Sequence, residues 1–129
     1  MSELLARPFR PFDFAAGAVK DFQLGRIIDS LRLESAYRND GCTAVTVARS
    51  DELTIVLTVI QKGSQVSEHK APAPASVIVL DGKLSFSKPD GSTFELSSND
   101  AVVFASDVLH MVKALEDCAF LIVIGGRVD

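Results

Sequence analysis

Histidine is scarce in this chain, with only His69 and His110 in 129 residues. Cysteine is as scarce, and Cys42 and Cys118 lack the close spacing of metal-binding pairs. With no C-x-x-C and no dense cysteine pattern, neither a zinc ribbon nor a disulfide framework is expected, and both thiols read as small buried side chains in a reducing compartment. There is no basic surplus either: 13 Lys and Arg stand against 17 Asp and Glu, a net charge of -4. Without a cationic stripe to neutralise a phosphate backbone, nucleic acid is not an expected partner. Long apolar runs are also missing. The hydrophobic fraction is 47%, yet stretches such as TIVLTVI and AFLIVI fall far short of the ~20 residues of a membrane-spanning helix. The apolar surplus must therefore be buried in protein, and no membrane partner is expected. The opening MSELLARPFRPFDFAAG carries charges and prolines where a secretory signal would carry an unbroken apolar segment, so a cytoplasmic location is expected. The G-x-S-x-G elbow, the phosphate-binding glycine loop, the H-E-x-x-H helix, sequence repeats and low-complexity tracts are absent too.

What remains is a chain of one-domain length with a clear change of pattern along it. Residues 1–40 read as an N-terminal arm and helix that pack on the rest. Prolines break up the aromatics Phe9, Phe12 and Phe14, which need an apolar surface on which to dock. Leu24, Ile27, Ile28 and Leu31 then fall at the spacing of one helix face, with Asp21 as cap, RNDG as stop and Gly25 as a weak point. Residues 41–129 read as a β-barrel. Eight short β-branched or aromatic segments, from TAVTVARS to AFLIVIG, are separated by turn chemistry, and KPDGS has the composition of a hairpin turn. TIVLTVI, VIVL and FLIVI are apolar on both faces, so the outer face of the sheet also needs a cover. The arm and helix supply one expected cover and a second subunit in a homodimer the other.

The histidines fit a longer spacing. His69 follows Gly63 by six positions, and Gly82 lies further on in VIVLDG; His110 ends NDAVVFASDVLH. This arrangement resembles the cupin superfamily, whose two signatures are G-x5-H-x-H-x3,4-E-x6-G and G-x5-P-x-G-x2-H. On the first, Gly63, His69 and Gly82 match, Ala71 stands at the second histidine and Ala75 at the glutamate. On the second, His110 matches, Asn99 and Asp107 stand at the two glycines and Ala105 at the proline. The resemblance covers residues 43–124 and extends to small one-domain bacterial cupins of unestablished activity. It implies an all-β, cupin-type double-stranded β-helix, a jelly-roll barrel that is commonly dimeric. It also implies a pocket in which three histidines and a glutamate hold any metal.

Two of those four ligand positions are alanine here, and non-haem iron and catalytic zinc sites each need about three protein ligands. Substitutes are poor. Glu68 points away from its neighbour in an extended chain, Asp107 reads as a turn former, and Gln65 and Lys70 read as solvent-facing. The expected site is thus an apolar pocket in which His69 and His110 face each other across the barrel, walled by Ala71 and Ala75, for a small-molecule ligand. His69 and His110 are also the only candidate metal ligands. The expected cofactor is none, or a weakly held divalent metal. Two further readings stay open: a metal-dependent oxygenase or isomerase using the two histidines, and a structural or regulatory dimerisation module.

Overall fold

The computed structural model describes residues 3–127, except the side chains of residues 67–69. Two short helices, α1 (Leu24–Arg32) and α2 (Ser35–Asp40), precede nine strands. The strands are β1 (Cys42–Arg49), β2 (Thr54–Ile60), β3 (Gln65–His69), β4 (Ala75–Asp81), β5 (Lys83–Ser87), β6 (Thr93–Ser97), β7 (Ala101–Phe104), β8 (His110–Ala114) and β9 (Cys118–Ile124). They form two antiparallel sheets, ordered β1-β2-β9-β4-β7 and β3-β8-β5-β6, the two walls of a jelly roll. KPDGS closes the β5–β6 hairpin, where the Gly91 N–H donates to the Lys88 carbonyl (3.0 Å) and Asp90 Oδ1 accepts from the Ser92 N–H (2.8 Å).

The five-stranded sheet separates two apolar layers. Alternate residues of β2 and β9 point inward, and Ile60, Phe120 and Ile124 pack there with Phe86, Leu84 and Val112 of the other sheet. The intervening residues, among them Leu57, Val59 and Ala119, point outward beneath Ile28, Leu31 and Tyr37 of the helices. Leu5, Phe9 and Phe22 of the arm pack against this outer layer, which accounts for the two-sided apolar character of β2 and β9. The arm also occupies the free edge of β1, where the Phe12 N–H donates to the Val47 carbonyl at 2.8 Å.

Three expectations need correction. The helix is two helices, because Glu34 is extended (φ -69°, ψ 145°) and starts α2 anew. The α1 N-cap is Gln23 rather than Asp21, whose carboxylate accepts from Gln23 Nε2 at 2.8 Å. A ninth strand, β3, escaped the hydrophobic pattern because QVSEH holds a single apolar residue, Val66. The RNDG stop does end α2, with Gly41 left-handed at φ 86°.

Glu34 is held by a staple. Arg7 donates through Nε to Oε2 (3.0 Å) and through Nη2 to Oε1 (2.9 Å), Arg7 Nη2 also reaches the Ala44 carbonyl (2.9 Å), and Thr43 Oγ1 donates to Oε1 (3.0 Å). Arm, helix and barrel meet in this cluster.

The motif spacing has a backbone explanation. All four positions at which the signatures carry glycine are left-handed: Gly63 (φ 87°), Gly82 (φ 82°), Asn99 (φ 75°) and Asp107 (φ 63°). Asn and Asp tolerate this region better than other non-glycine residues, so they can stand in for glycine at two of the turns.

Two stability predictions follow from these contacts. A Cβ on Gly82 would collide with the Asp117 carbonyl, whereas one on Gly63 would meet open space. Gly63→Ala should then cost only backbone strain of about 1–2 kcal/mol, and Gly82→Ala at least about 1–2 kcal/mol more from the added clash. Equal losses on urea denaturation would refute this account. For the staple, hydrogen bonds from Arg7, reinforced by Thr43 and opposed by burial, hold the Glu34 carboxyl below its ordinary range. A lowered folded-state pKa contributes stability that is full above the unfolded value, about 4.3, and is lost as pH falls through the folded one. Arg7 is partly exposed and water screens the pair, so Arg7→Gln should cost about 1 kcal/mol at pH 7. The gap between wild type and variant in denaturation midpoint should close as the pH falls below the ordinary glutamate range.

Candidate functional site

A cavity of about 340 Å³ lies between the two sheets. Its walls come from alternating inward residues of the five-stranded sheet, among them Val56, Val77, Phe120 and Ile122, and from Val66, His110 and Val112 of the facing sheet. Lys70, Ala71 and Pro72, in the segment leaving β3, complete it. A second hollow, of about 320 Å³, lies where the arm packs on β1; it is lined by Arg7, Phe9 and Arg49 but by no imidazole, thiol or carboxylate. Of these two, only the barrel cavity is lined by an imidazole and a thiol.

His110 opens β8 and is buried at 3% exposure. Its ring stacks on Phe86, with centroids 4.9 Å apart and planes 15° apart, and leans on Phe104 at 4.7 Å. Nδ1 lies 2.9 Å from the Val108 carbonyl oxygen. A carbonyl oxygen only accepts, so Nδ1 carries the proton, and in the neutral ring Nε2 keeps the lone pair. Orientation and tautomer are both set by the protein.

The β3–β8 ladder pairs the His69 backbone with that of His110. This pairing depends on a bulge: Gln65 pairs with Lys113 and Val66 with Val112, and the same register continued would place Glu68 opposite His110. One extra residue places His69 there instead. The two histidines therefore lie on neighbouring strands of one sheet rather than on opposite walls of the barrel. The side chain of His69 lies outside the described residues.

Ala71 lines the cavity. Ala75 is buried in β4, paired with Phe104 on one side and Ile124 on the other, and does not itself line the cavity. It shares the inward face with Val77, and its two cross-strand partners, Phe104 and Ile124, line the cavity. Lys70, read from the sequence as solvent-facing, is exposed and also lines the cavity. No residue-level signal marks that position; only the path of the chain out of β3 brings Lys70 to the rim. Cys42 and Thr58 line the cavity as well. Burial raises the Cys42 thiol pKa above its ordinary range, and burial foremost, then the Asp81 charge, pushes Cys118 up to about 12. Neither thiol is set up as a nucleophile.

The donor set does not fit a centre of three histidines and a glutamate. Among the described residues no three His, Cys, Asp or Glu side chains stand together. The described walls offer one imidazole, one protonated thiol and one hydroxyl, and methyls occupy two of the positions where the resemblance places ligands.

No protein-family model matches the sequence, and no curated protein matches it. Solved structures do. A conserved protein of unknown function from Streptococcus pyogenes superposes with a TM-score of 0.70 at 19% identity, over 95% of this chain and 99% of that one. An RmlC-like cupin protein from Desulfovibrio desulfuricans gives 0.69 at 17% identity, over 84% and 97%. The DMSP lyase DddQ from Ruegeria pomeroyi gives 0.62 at 18% identity, over 79% of this chain and 55% of that one. Among the described residues no helix is long and apolar enough to cross a membrane. The strand order, the two facing sheets and these superpositions agree: the chain has the cupin fold, a jelly-roll barrel of the RmlC-like kind.

Proposed function

We propose that this chain binds a small, largely apolar molecule inside its barrel, with His110 and His69 as polar anchors, and that it does so in the cytoplasm. The fold by itself decides nothing here, since one barrel hosts many chemistries. One observation carries the reading: a buried imidazole of fixed tautomer stands in the wall of a 340 Å³ cavity whose other described walls are almost entirely hydrocarbon. Small-molecule sites have this composition, mostly apolar with a few fixed polar groups. The β3–β8 register supports His69 as the second anchor, because it sets that position beside His110.

Filling the cavity tests the proposal. Calorimetric titration with 1-octanol and 3-phenylpropanol should show saturable binding, and Ala71→Phe should weaken it by about ten-fold or more, with little change in melting temperature. Unaltered binding in a folded Ala71→Phe variant would place the ligand elsewhere. Metal analysis of protein purified without an affinity tag should find metal well below one equivalent. A full equivalent, lost in the His69→Ala, His110→Ala double variant, would instead favour a metal-dependent oxygenase or isomerase.

A homodimer is part of the same proposal. The helices cover the outer face of β1, β2 and β9, but on β4 and β7 the outward row of Ser76, Ile78 and Val103 is not among the residues they cover, and Val103 is 77% exposed. An exposed valine beside the half-buried Ile78 on a sheet face that the helices leave open supports pairing with a second copy. Light scattering should report a dimer for the wild type and a monomer for Val103→Lys, with the circular dichroism spectrum unchanged.

A further inference from the structure

Lys70 brings a cationic side chain to a cavity whose described walls carry no opposite charge. The residue follows β3 directly, is exposed, and lines the cavity beside Ala71 and Pro72. Among the described residues it makes no ion pair, and no Asp or Glu is among the described lining residues. The nearby turn that carries Asp107 is tied to the same rim, its N–H donating to the Ala71 carbonyl at 2.8 Å, but Asp107 is exposed and does not line the cavity. The described wall is hydrocarbon over most of its surface with the His110 imidazole buried in it, and the exposed Lys70 adds a long cationic side chain at its edge.

This polarity selects among guests. An anion drawn wholly into the hydrocarbon part would lose its hydration with little in return. A neutral guest would gain nothing from Lys70. A molecule with an anionic head and an apolar body can do both, keeping its charge near water and the ammonium while its body displaces water from the walls. Size narrows the class. A volume of 340 Å³, at about 30 Å³ for each water-sized group, holds roughly eleven such groups.

Building on the cavity-binding reading, we propose that the guest is an amphipathic monocarboxylate of about ten or eleven non-hydrogen atoms, with its carboxylate on Lys70 and its alkyl or aryl body between the sheets. Recognition is then divided: Lys70 selects the charge and the hydrocarbon walls select the length.

Octanoate and octanamide have the same chain length and the same number of heavy atoms, so calorimetric titration of the full chain with each isolates the charge. Octanoate should bind about five-fold more tightly at low ionic strength, the size of effect expected for an exposed ion pair. Raising the salt should shrink that ratio by screening. Lys70→Met should bring the ratio to one while octanamide binding is kept, and Lys70→Glu should invert it. Equal binding of the two probes to wild type, or a preference for octanoate that survives Lys70→Met, would overturn the assignment of the carboxylate to Lys70 and leave the cavity reading standing. Failure of both probes to bind folded wild-type protein would overturn the cavity reading and this inference with it.

Discussion

A sheet that is apolar on both faces has to be covered twice, and the way the two covers are made shapes this molecule. In β2, Ile55, Leu57 and Val59 point one way while Val56, Thr58 and Ile60 point the other. The outward set is closed off by the arm and the two helices, whose Leu31 and Tyr37 are buried in the contact. That packing is tied by a polar cluster in which Arg7, Glu34 and Thr43 join arm, helix and strand, and by Arg32 of α1 donating to Asp81 of β4 at 3.0 Å. The inward set faces a second sheet of four short strands. Phe86, Phe120 and Leu84 fill much of the space between, each essentially buried. Small residues such as Ala44 and Ala71 in the walls leave space that the larger side chains do not fill, and the cavity is what is left.

His110 is placed by local chemistry on one side and long-range pairing on the other. The turn before it passes through Asp107, whose left-handed backbone directs its N–H to the Ala71 carbonyl and ties two rim segments together. Val108 then presents its carbonyl to Nδ1, and Phe86 and Phe104 hold the ring by its faces and edges. An imidazole held in this way loses little conformational freedom on meeting a guest, which is the usual advantage of a preformed site. The β3 bulge completes the arrangement by setting His69, rather than Glu68, opposite it.

Much of this was legible in the sequence because its strongest signals are backbone requirements. The spacing from Gly63 to Gly82, and from Asn99 to His110, marks turns that need positive φ, and turns of that kind fix where strands begin and end. The apolar character of TIVLTVI and FLIVI on both faces correctly announced a covered sheet. The rest was hidden for equally physical reasons. The strand QVSEH is held by its ladder to β8 and carries almost no hydrophobic period of its own. The break between α1 and α2 comes from Glu34 bonding to residues 27 positions before it and 9 after it, which no local window contains. The histidines could be paired by spacing, but strand order alone puts them side by side in one sheet. Lys70 looked like any surface lysine, and its position at a cavity is a property of the chain path.

The alanines connect the site's chemistry to its shape. A histidine and a glutamate at residues 71 and 75 would bring coordinating atoms into the barrel and take up room with their side chains. Methyls supply no donor and leave volume, most directly at Ala71, which lines the cavity itself. Charge acts in the same direction. A divalent cation approaching the rim meets the Lys70 ammonium, with a repulsion of about 2 kcal/mol at 4 Å even at the dielectric constant of water, and no carboxylate of the described wall offsets it. An anionic head group meets the same field with opposite sign. Substitution at the ligand positions and the cationic side chain of Lys70 thus act in the same direction, toward the organic anion proposed above.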